Sequence, residues 1–234
     1  MMKSHFYYWS FLILTFFTFS AVSAQVGIKG GIAVSDITFK KYGQSPYLGY
    51  ENNSLIHEKP LLSYQFGLFY PLDIGKKWQL QPELLFAAKG INYNMDFLYD
   101  DVTYQINIHY LELPVLLKHQ TFTGKKGRTY LYLGPYAAWK LSAVKNTEVE
   151  GEREKVNVSN VKSGDFGVLV GTSIHKEWLS SQVIFDFRIS YSLINMMHPI
   201  EGHLPEYNRT PKEYVRNVGI IFSVGYLFDK KNKP

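Results

Sequence analysis

From residue 26 onward, apolar and polar side chains alternate with a period of two in one short run after another, with polar stretches between the runs. Period two puts successive side chains on opposite faces of an extended chain, so each run predicts a β-strand. Eight runs are found. The first sets Val26, Ile28, Gly30, Ile32 and Val34 against Gly27, Lys29, Gly31, Ala33 and Ser35. The second aligns Leu62, Tyr64, Phe66, Leu68 and Tyr70; the third aligns Trp78, Leu80, Leu84 and Phe86, opposite Gln79, Gln81, Glu83 and Lys89. In the fifth, Leu131, Leu133, Trp139 and Leu141 oppose Tyr130, Tyr132, Tyr136 and Lys140, and only the lysine marks the polar face. The sixth sets Phe166, Val168 and Val170 against Asp165, Gly167 and Gly171. The seventh opposes Phe185, Phe187, Ile189 and Tyr191 to Asp186 and Arg188, and the eighth opposes Ile220, Phe222, Val224, Tyr226 and Phe228 to Ser223 and Gly225.

The fourth run changes parity part-way. Leu111, Leu113, Val115 and Leu117 oppose Glu112 and Lys118, whereas upstream the apolar residues are Tyr104, Ile106, Ile108 and Tyr110. A β-bulge near Tyr110 is expected to reconcile the two halves. Pro71, Pro82, Pro114 and Pro135 also fall inside predicted strands, where each removes a ladder donor.

No charge falls on the apolar face of any run. A soluble barrel keeps its apolar side chains inside. Here the second face carries the charges, which predicts apolar side chains turned outward to lipid, where a Lys or Arg near the midplane costs about 2–4 kcal/mol. No segment after residue 24 is apolar for long enough to cross as a helix. The expected fold is therefore all-β: an eight-stranded antiparallel up-and-down transmembrane β-barrel. Connectors alternate long (40–60, 92–103, 146–164, 194–213) and short (73–77, 120–128, 175–178). Long extracellular loops and short periplasmic turns are the Gram-negative outer-membrane pattern, and an even strand number puts both termini in the periplasm. Trp78 and Phe228 at one end of the barrel and Trp139 and Tyr191 at the other form the expected aromatic girdle.

The N-terminus fits this destination. Lys3 precedes an apolar stretch over residues 6–22 and then Val22-Ser23-Ala24, the small-residue pattern of a secretory cleavage site. Residues 1–24 read as a cleaved signal peptide, with a signal anchor as the alternative; residues 25–228 read as the barrel and 229–234 as a short basic periplasmic tail. Absence of Cys excludes disulfides, Cys-ligated metals and thiol catalysis. The net charge of +5 is not gathered into a basic run able to track a phosphate backbone, so nucleic acid is not an expected partner.

Gly27-Ile28-Lys29-Gly30-Gly31, Leu80-Gln81-Pro82-Glu83-Leu84-Leu85 with Lys89-Gly90, Tyr110-Leu111-Glu112-Leu113-Pro114, Tyr130-Leu131-Tyr132-Leu133-Gly134-Pro135-Tyr136 and Gly225-Tyr226-Leu227-Phe228 resemble the PorT-like outer-membrane β-barrel family over essentially the whole mature chain. The resemblance implies an eight-stranded barrel of the OmpA type and places three of the four prolines in recurring motifs. Its namesake branch is tied to type IX secretion and gliding. The matching motifs are strand-structural, and the six residues after Phe228 depart from the aromatic terminus of many such barrels.

Candidate chemistry is sparse. The polar faces bring Lys29, Lys89, Lys118, Lys140 and Arg188 together with Glu83, Glu112, Asp165 and Asp186, a nearly balanced set expected to pair as a charge network inside the barrel. An eight-stranded lumen is just wide enough to be filled by side chains. The network therefore reads as a plug, with an ion path as the alternative. His198, Glu201 and His203 lie in one loop, but their spacing matches no helical zinc motif, and no metal or cofactor is expected. Alternating charges from Glu148 to Lys155 suggest a hairpin beyond the membrane, and basic pairs at Lys76-Lys77, Lys125-Lys126 and Lys230-Lys231 lie on the short-turn side. No nucleophile elbow, phosphate loop or Ser/His/acid cluster is present. His109 and His119 approach the rim, where a lipid-modifying barrel enzyme would need its catalytic groups. The expected function is a non-enzymatic, monomeric outer-membrane barrel acting as a scaffold or docking component of the envelope, in contact with outer-membrane lipid and lipopolysaccharide and possible envelope or secretion-system proteins. A lipid-modifying barrel enzyme and a narrow channel or porin are the alternatives.

Overall fold

The computed structural model describes residues 25–40, 56–96, 101–125, 127–149, 152–159, 161–178, 181–196 and 214–228. The segment 1–24, the tail 229–234 and the His198–His203 stretch lie outside the described residues, as do Lys126 and the Lys230-Lys231 pair. The strands are β1 (Gly27–Lys40), β2 (Ile56–Phe69), β3 (Leu72–Asp73), β4 (Trp78–Asp96), β5 (Asp101–Gly124), β6 (Gly127–Val149), β7 (Glu152–Asn157), β8 (Gly164–Trp178), β9 (Ser181–Ser192) and β10 (Tyr214–Leu227). Around the sheet the order is β2-β1-β10-β9-β8-β6-β5-β4, and β4 pairs back onto β2, closing an eight-stranded antiparallel barrel. Closure removes every edge from the wall. Of the two remaining strands, β3 continues the line of β2 beside β4, and β7 folds back on the far end of β6. Among the described residues no helix is long and apolar enough to cross a membrane; the crossing elements are strands.

Burial alternates along the wall. On β8 it runs residue by residue between buried and exposed, and β10 behaves the same way from Asn217 to Phe228. The exposed set is Ile, Val, Leu, Phe, Tyr and Trp, reaching 69% exposure at Leu62 and 65% at Leu133. Buried inside are Lys29, Glu83, Lys89, Glu112, Lys118, Asp165, Asp186 and Arg188. A continuous apolar surface around the whole circumference far exceeds what water tolerates on a monomer. It is the surface of a barrel dissolved in lipid.

Three sequence expectations change. First, the strands run further than the eight lipid-facing runs suggest. The connector expected over 92–103 shrinks to 97–100, because β4 runs to Asp96 and β5 starts at Asp101, and the one over 146–164 is largely the β6–β7 hairpin. In β4 and β5 the alternation itself runs on, through Ile91, Tyr93 and Met95 and through Val102, Tyr104, Ile106 and Ile108, with the apolar members on the opposite parity from the lipid-facing runs.

Second, β5 keeps one parity from Ile108 to Lys118: Ile108, Tyr110, Glu112, Leu116 and Lys118 are all buried on the inside. The irregularity lies on the neighbouring strand. His109 pairs Ser142 but Tyr110 pairs Lys140, so Leu141 is the extra residue, and β6 rather than β5 carries the bulge. It turns the inward side of β6 from even positions such as Ala138 to odd ones such as Ala143. The apolar upstream half of β5 thus faces a dry part of the lumen.

Third, Pro71 stands outside the strands, in the break between β2 and β3, bridged by a Tyr70 amide donating to the Pro82 carbonyl at 3.0 Å. The other three cluster. Pro82 pairs Val115, and extending the register from Pro114↔Tyr136 and Leu117↔Leu133 sets Val115 opposite Pro135. The lost donors therefore fall on one local patch of the β4-β5-β6 wall, where ladder pairing lapses, instead of weakening several ladders.

Candidate functional site

The lumen is built from large polar side chains set between small neighbours. Lys29 has Gly67 on one side and Gly225 on the other; Asp186 sits between Ser173 and Ser223; Arg188 sits beside Gly171. The aromatic rings follow the same rule. Tyr132 lies over Gly171 and Tyr136 over Gly167, so that a Cβ added at either glycine would stand 2.5 Å from the tyrosine above it. Alternation of large and small residues is how a narrow barrel fills its taper. Gly171→Val is expected to push Tyr132 off Asp186 and lower stability by about 1–3 kcal/mol, read as a shifted urea midpoint of the folded barrel.

Two ion clusters occupy this space. Toward the end carrying the short turns, the Arg188 guanidinium donates to both Glu83 oxygens, at 2.8 and 3.2 Å, and through Nε to Asp186 at 2.8 Å. Lys29 lies 3.1 Å from Glu83 and 3.7 Å from Asp186. Gln81 donates to Glu83 at 2.6 Å and the Tyr132 hydroxyl to Asp186 at 3.0 Å. Two cations face two carboxylates, and the planar fork of Arg188 uses all three of its nitrogens.

Toward the long-connector end, Lys89 ion-pairs with Glu112 at 2.5 Å and Asp165 at 3.7 Å, its ammonium lying over the Tyr136 ring. Asp165 also accepts from Tyr136, Ser192 and Asn217. Lys118 is fully buried, with no carboxylate within ion-pair distance among the described residues; its ammonium donates to Gln81 at 3.0 Å and sits 3.1 Å from His175 Nε2. Counting Lys118, four cations meet four anions across the eight buried positions, which is how such charges are kept out of water.

Lys140 stands apart. It is half-buried near the bulge, its ammonium donates to the Val161 carbonyl, and it joins none of the ion pairs among the described residues. Alternation alone could not separate it from the others, because the bulge ends the inward row of β6 next to it. Of the girdle candidates, Trp78, Trp139, Tyr191 and Phe228 are all exposed on the outer wall, Trp78 and Phe228 at the turn end and Trp139 and Tyr191 toward the other.

A second filling was not read from the sequence. Above the upper ion cluster, Val161 and Met196 reach into the mouth, 1% and 0% exposed, and pack with Ile108, Tyr110, Ala143 and Leu169. Backbone bonds hold the two inward segments in place: the Lys140 amide to Ser163, the Val158 amide to Ala143 and the Lys162 amide to Met196. The upstream apolar parity of β5 was the available signal. Lower down, a void of about 10 Å³ bordered by Ser35, Gln65, Lys89 and Ser190 holds no more than about one water.

The outer rim carries one Ser–His contact: His109 Nδ1 lies 2.9 Å from Ser142 Oγ, and the imidazole stacks on Phe86. No carboxylate is bonded to either among the described residues. His119 instead packs its ring against Trp78. No group of three or more potential metal ligands occurs among the described residues.

A sequence profile described as an outer membrane protein beta-barrel domain matches residues 20–198. The chain belongs to this outer-membrane β-barrel family. The match covers most of the barrel of this outer-membrane protein, and β10, which closes it, lies beyond the matched residues. Among solved structures, it is similar to Ail, the attachment invasion locus protein of Yersinia pestis, at 12% identity and a TM-score of 0.39, covering 88% of this chain and 100% of that one. It is also similar to OprG from Pseudomonas aeruginosa, at 11% identity, a TM-score of 0.41 and 89% and 97% coverage. Neisserial surface protein A is similar at 10% identity and a TM-score of 0.39, over 88% and 99% of the two chains. No curated protein matches the sequence.

Proposed function

We propose that this outer-membrane barrel is a sealed, non-enzymatic scaffold whose working surfaces are its two ends. The observation that carries the reading is the double filling of the lumen: a bonded network of four buried cations and four buried carboxylates in the middle, three of the cations in ion pairs, and an apolar stopper of Val161 and Met196 above it. Neither leaves a hydrated path, and the outer wall offers lipid only an apolar face. Reconstituted into planar bilayers, the protein is expected to pass no persistent current. Sustained conductance would overturn the sealed lumen.

The turns and both termini face the periplasm in this reading, and the long connectors with the β6–β7 hairpin face outward. The chain has no cysteine, so single cysteines report topology cleanly. Lys155→Cys on β7 is expected to react with an impermeant maleimide on intact cells, and Lys76→Cys only after the outer membrane is permeabilised. The opposite pattern would invert the orientation. Exposed charges at Glu154 and Lys155 support a solvated docking rim. A link to a secretion assembly rests on the motifs shared with PorT-like barrels, and co-purification from crosslinked outer membranes tests it: recovery of secretion-apparatus subunits supports the link, and their absence removes it.

A further inference from the structure

We infer that the mouth at the turn end is a binding site for the headgroup of an anionic phospholipid that carries free hydroxyls, a phosphoglycerol headgroup being the chemistry that fits. The inference rests on the barrel reading with its turns in the periplasm, where the adjoining leaflet is phospholipid. A hollow of about 110 Å³ opens there between the β3–β4 turn and the adjoining ends of β5 and β6. Lys76, Lys77 and Arg128 line it, against a single carboxylate, Asp73. Three cations about one acid favour a phosphate.

The floor is more selective. Gln79 is only 8% exposed, and its amide nitrogen donates to Asp73 at 3.1 Å, while its carbonyl Oε1 is buried with no donor among the described residues. A buried acceptor left unpaired is costly, and it is satisfied by a ligand that brings a hydroxyl. Tyr130 and Gln120 complete the polar lining, the tyrosine hydroxyl 3.5 Å from Gln120 Oε1. The rim is apolar on its lipid side, where Trp78 and Ile74 are 46% and 57% exposed. An amphiphile can therefore lay its chains against Trp78 and bend its phosphate and polyol over the rim. The hollow is too small for a folded partner.

The test uses the full chain folded in detergent micelles, titrated with the dihexanoyl forms of phosphatidylglycerol, phosphatidylmethanol and phosphatidylcholine and with free glycerol 3-phosphate, with bound species counted by native mass spectrometry. Phosphatidylglycerol is expected to bind saturably and about tenfold more tightly than phosphatidylcholine. Arg128→Gln with Lys77→Gln is expected to abolish that preference. Gln79→Leu is expected to erase the preference for phosphatidylglycerol over phosphatidylmethanol, which lacks the hydroxyls, while Lys155→Gln at the opposite end changes nothing. Equal binding of the two zwitterionic and anionic lipids, or unchanged preference in the variants, overturns the site. Glycerol 3-phosphate binding as tightly as the lipid overturns the lipid assignment in favour of a soluble phosphate. Folding of each variant is checked by the mobility difference between heated and unheated samples on a gel. Failure of the barrel reading has its own signature, a protein that stays monomeric in water without detergent.

Discussion

Glu83→Ala is expected to lower the unfolding free energy of the barrel by about 3–5 kcal/mol, the range for removing one partner of a buried ion pair. The carboxylate accepts from Arg188 twice, from Lys29 and from Gln81, and its side chain is fully shielded from solvent. With it gone, Asp186 alone faces two buried cations. The loss belongs to the stranded charges rather than to the bond itself. Replacing Glu83 with Leu and Arg188 with Met together should therefore recover much of the stability, leaving Lys29 with Asp186. Urea unfolding in lipid vesicles, followed by tryptophan fluorescence, measures both variants. A single mutant as stable as the parent would show that water reaches this layer and that the lumen is not dry.

The outer wall supplies the second large effect. Leu133 points outward from the middle of the wall part of β6, 65% exposed in the isolated chain. Leu133→Arg is expected to destabilise the vesicle-embedded barrel by about 2–4 kcal/mol, whereas Trp139→Arg, three outward positions further along the strand toward the membrane surface, costs about 0–1 kcal/mol. The depth dependence is what separates lipid from water as the solvent. A barrel facing water would gain solubility from either change. Equal and small effects at both positions, measured by the same unfolding assay, would refute membrane immersion of this wall.

Much of this was legible because the two solvents of a membrane barrel write opposite signs on alternate residues. Asp186 and Arg188 between Phe185, Phe187 and Ile189 identify the inner face of β9 without any structure, and the same holds for Glu83 between Pro82 and Leu84. Legibility failed where the lumen itself becomes apolar. Ile108 and Tyr110 fill the dry upper lumen, so their alternation is inverted relative to Leu111 and Leu113 and imitates a bulge on the wrong strand. The strand ends come out too short for the same reason: Ile91, Tyr93 and Met95 alternate with Asn92 and Asn94, and Val102, Tyr104 and Ile106 with Thr103 and Gln105, but the apolar members share a side with the charges further along, so the pattern does not read as a continuation of the lipid-facing runs. The stopper was hidden for a second reason. Val161 and Met196 come from connectors, and what makes them interior is the return path of the chain, which no local pattern records.

The seating of Tyr132 on Gly171 and Tyr136 on Gly167 has a consequence for substitution. A ring and the glycine beneath it come from different strands, but they are not held alike: a Cβ at Gly171 would meet the Phe187 carbonyl oxygen at 2.4 Å and one at Gly167 the Tyr191 carbonyl oxygen at 2.3 Å, so shrinking the ring opens a hole without making room for a side chain at the glycine. A bulky residue therefore cannot trade places with the small one across these rungs unless β9 itself shifts. The two ends of such a rung bear unequal constraints: the smallest residue is fixed by a backbone, the largest only by what it fills.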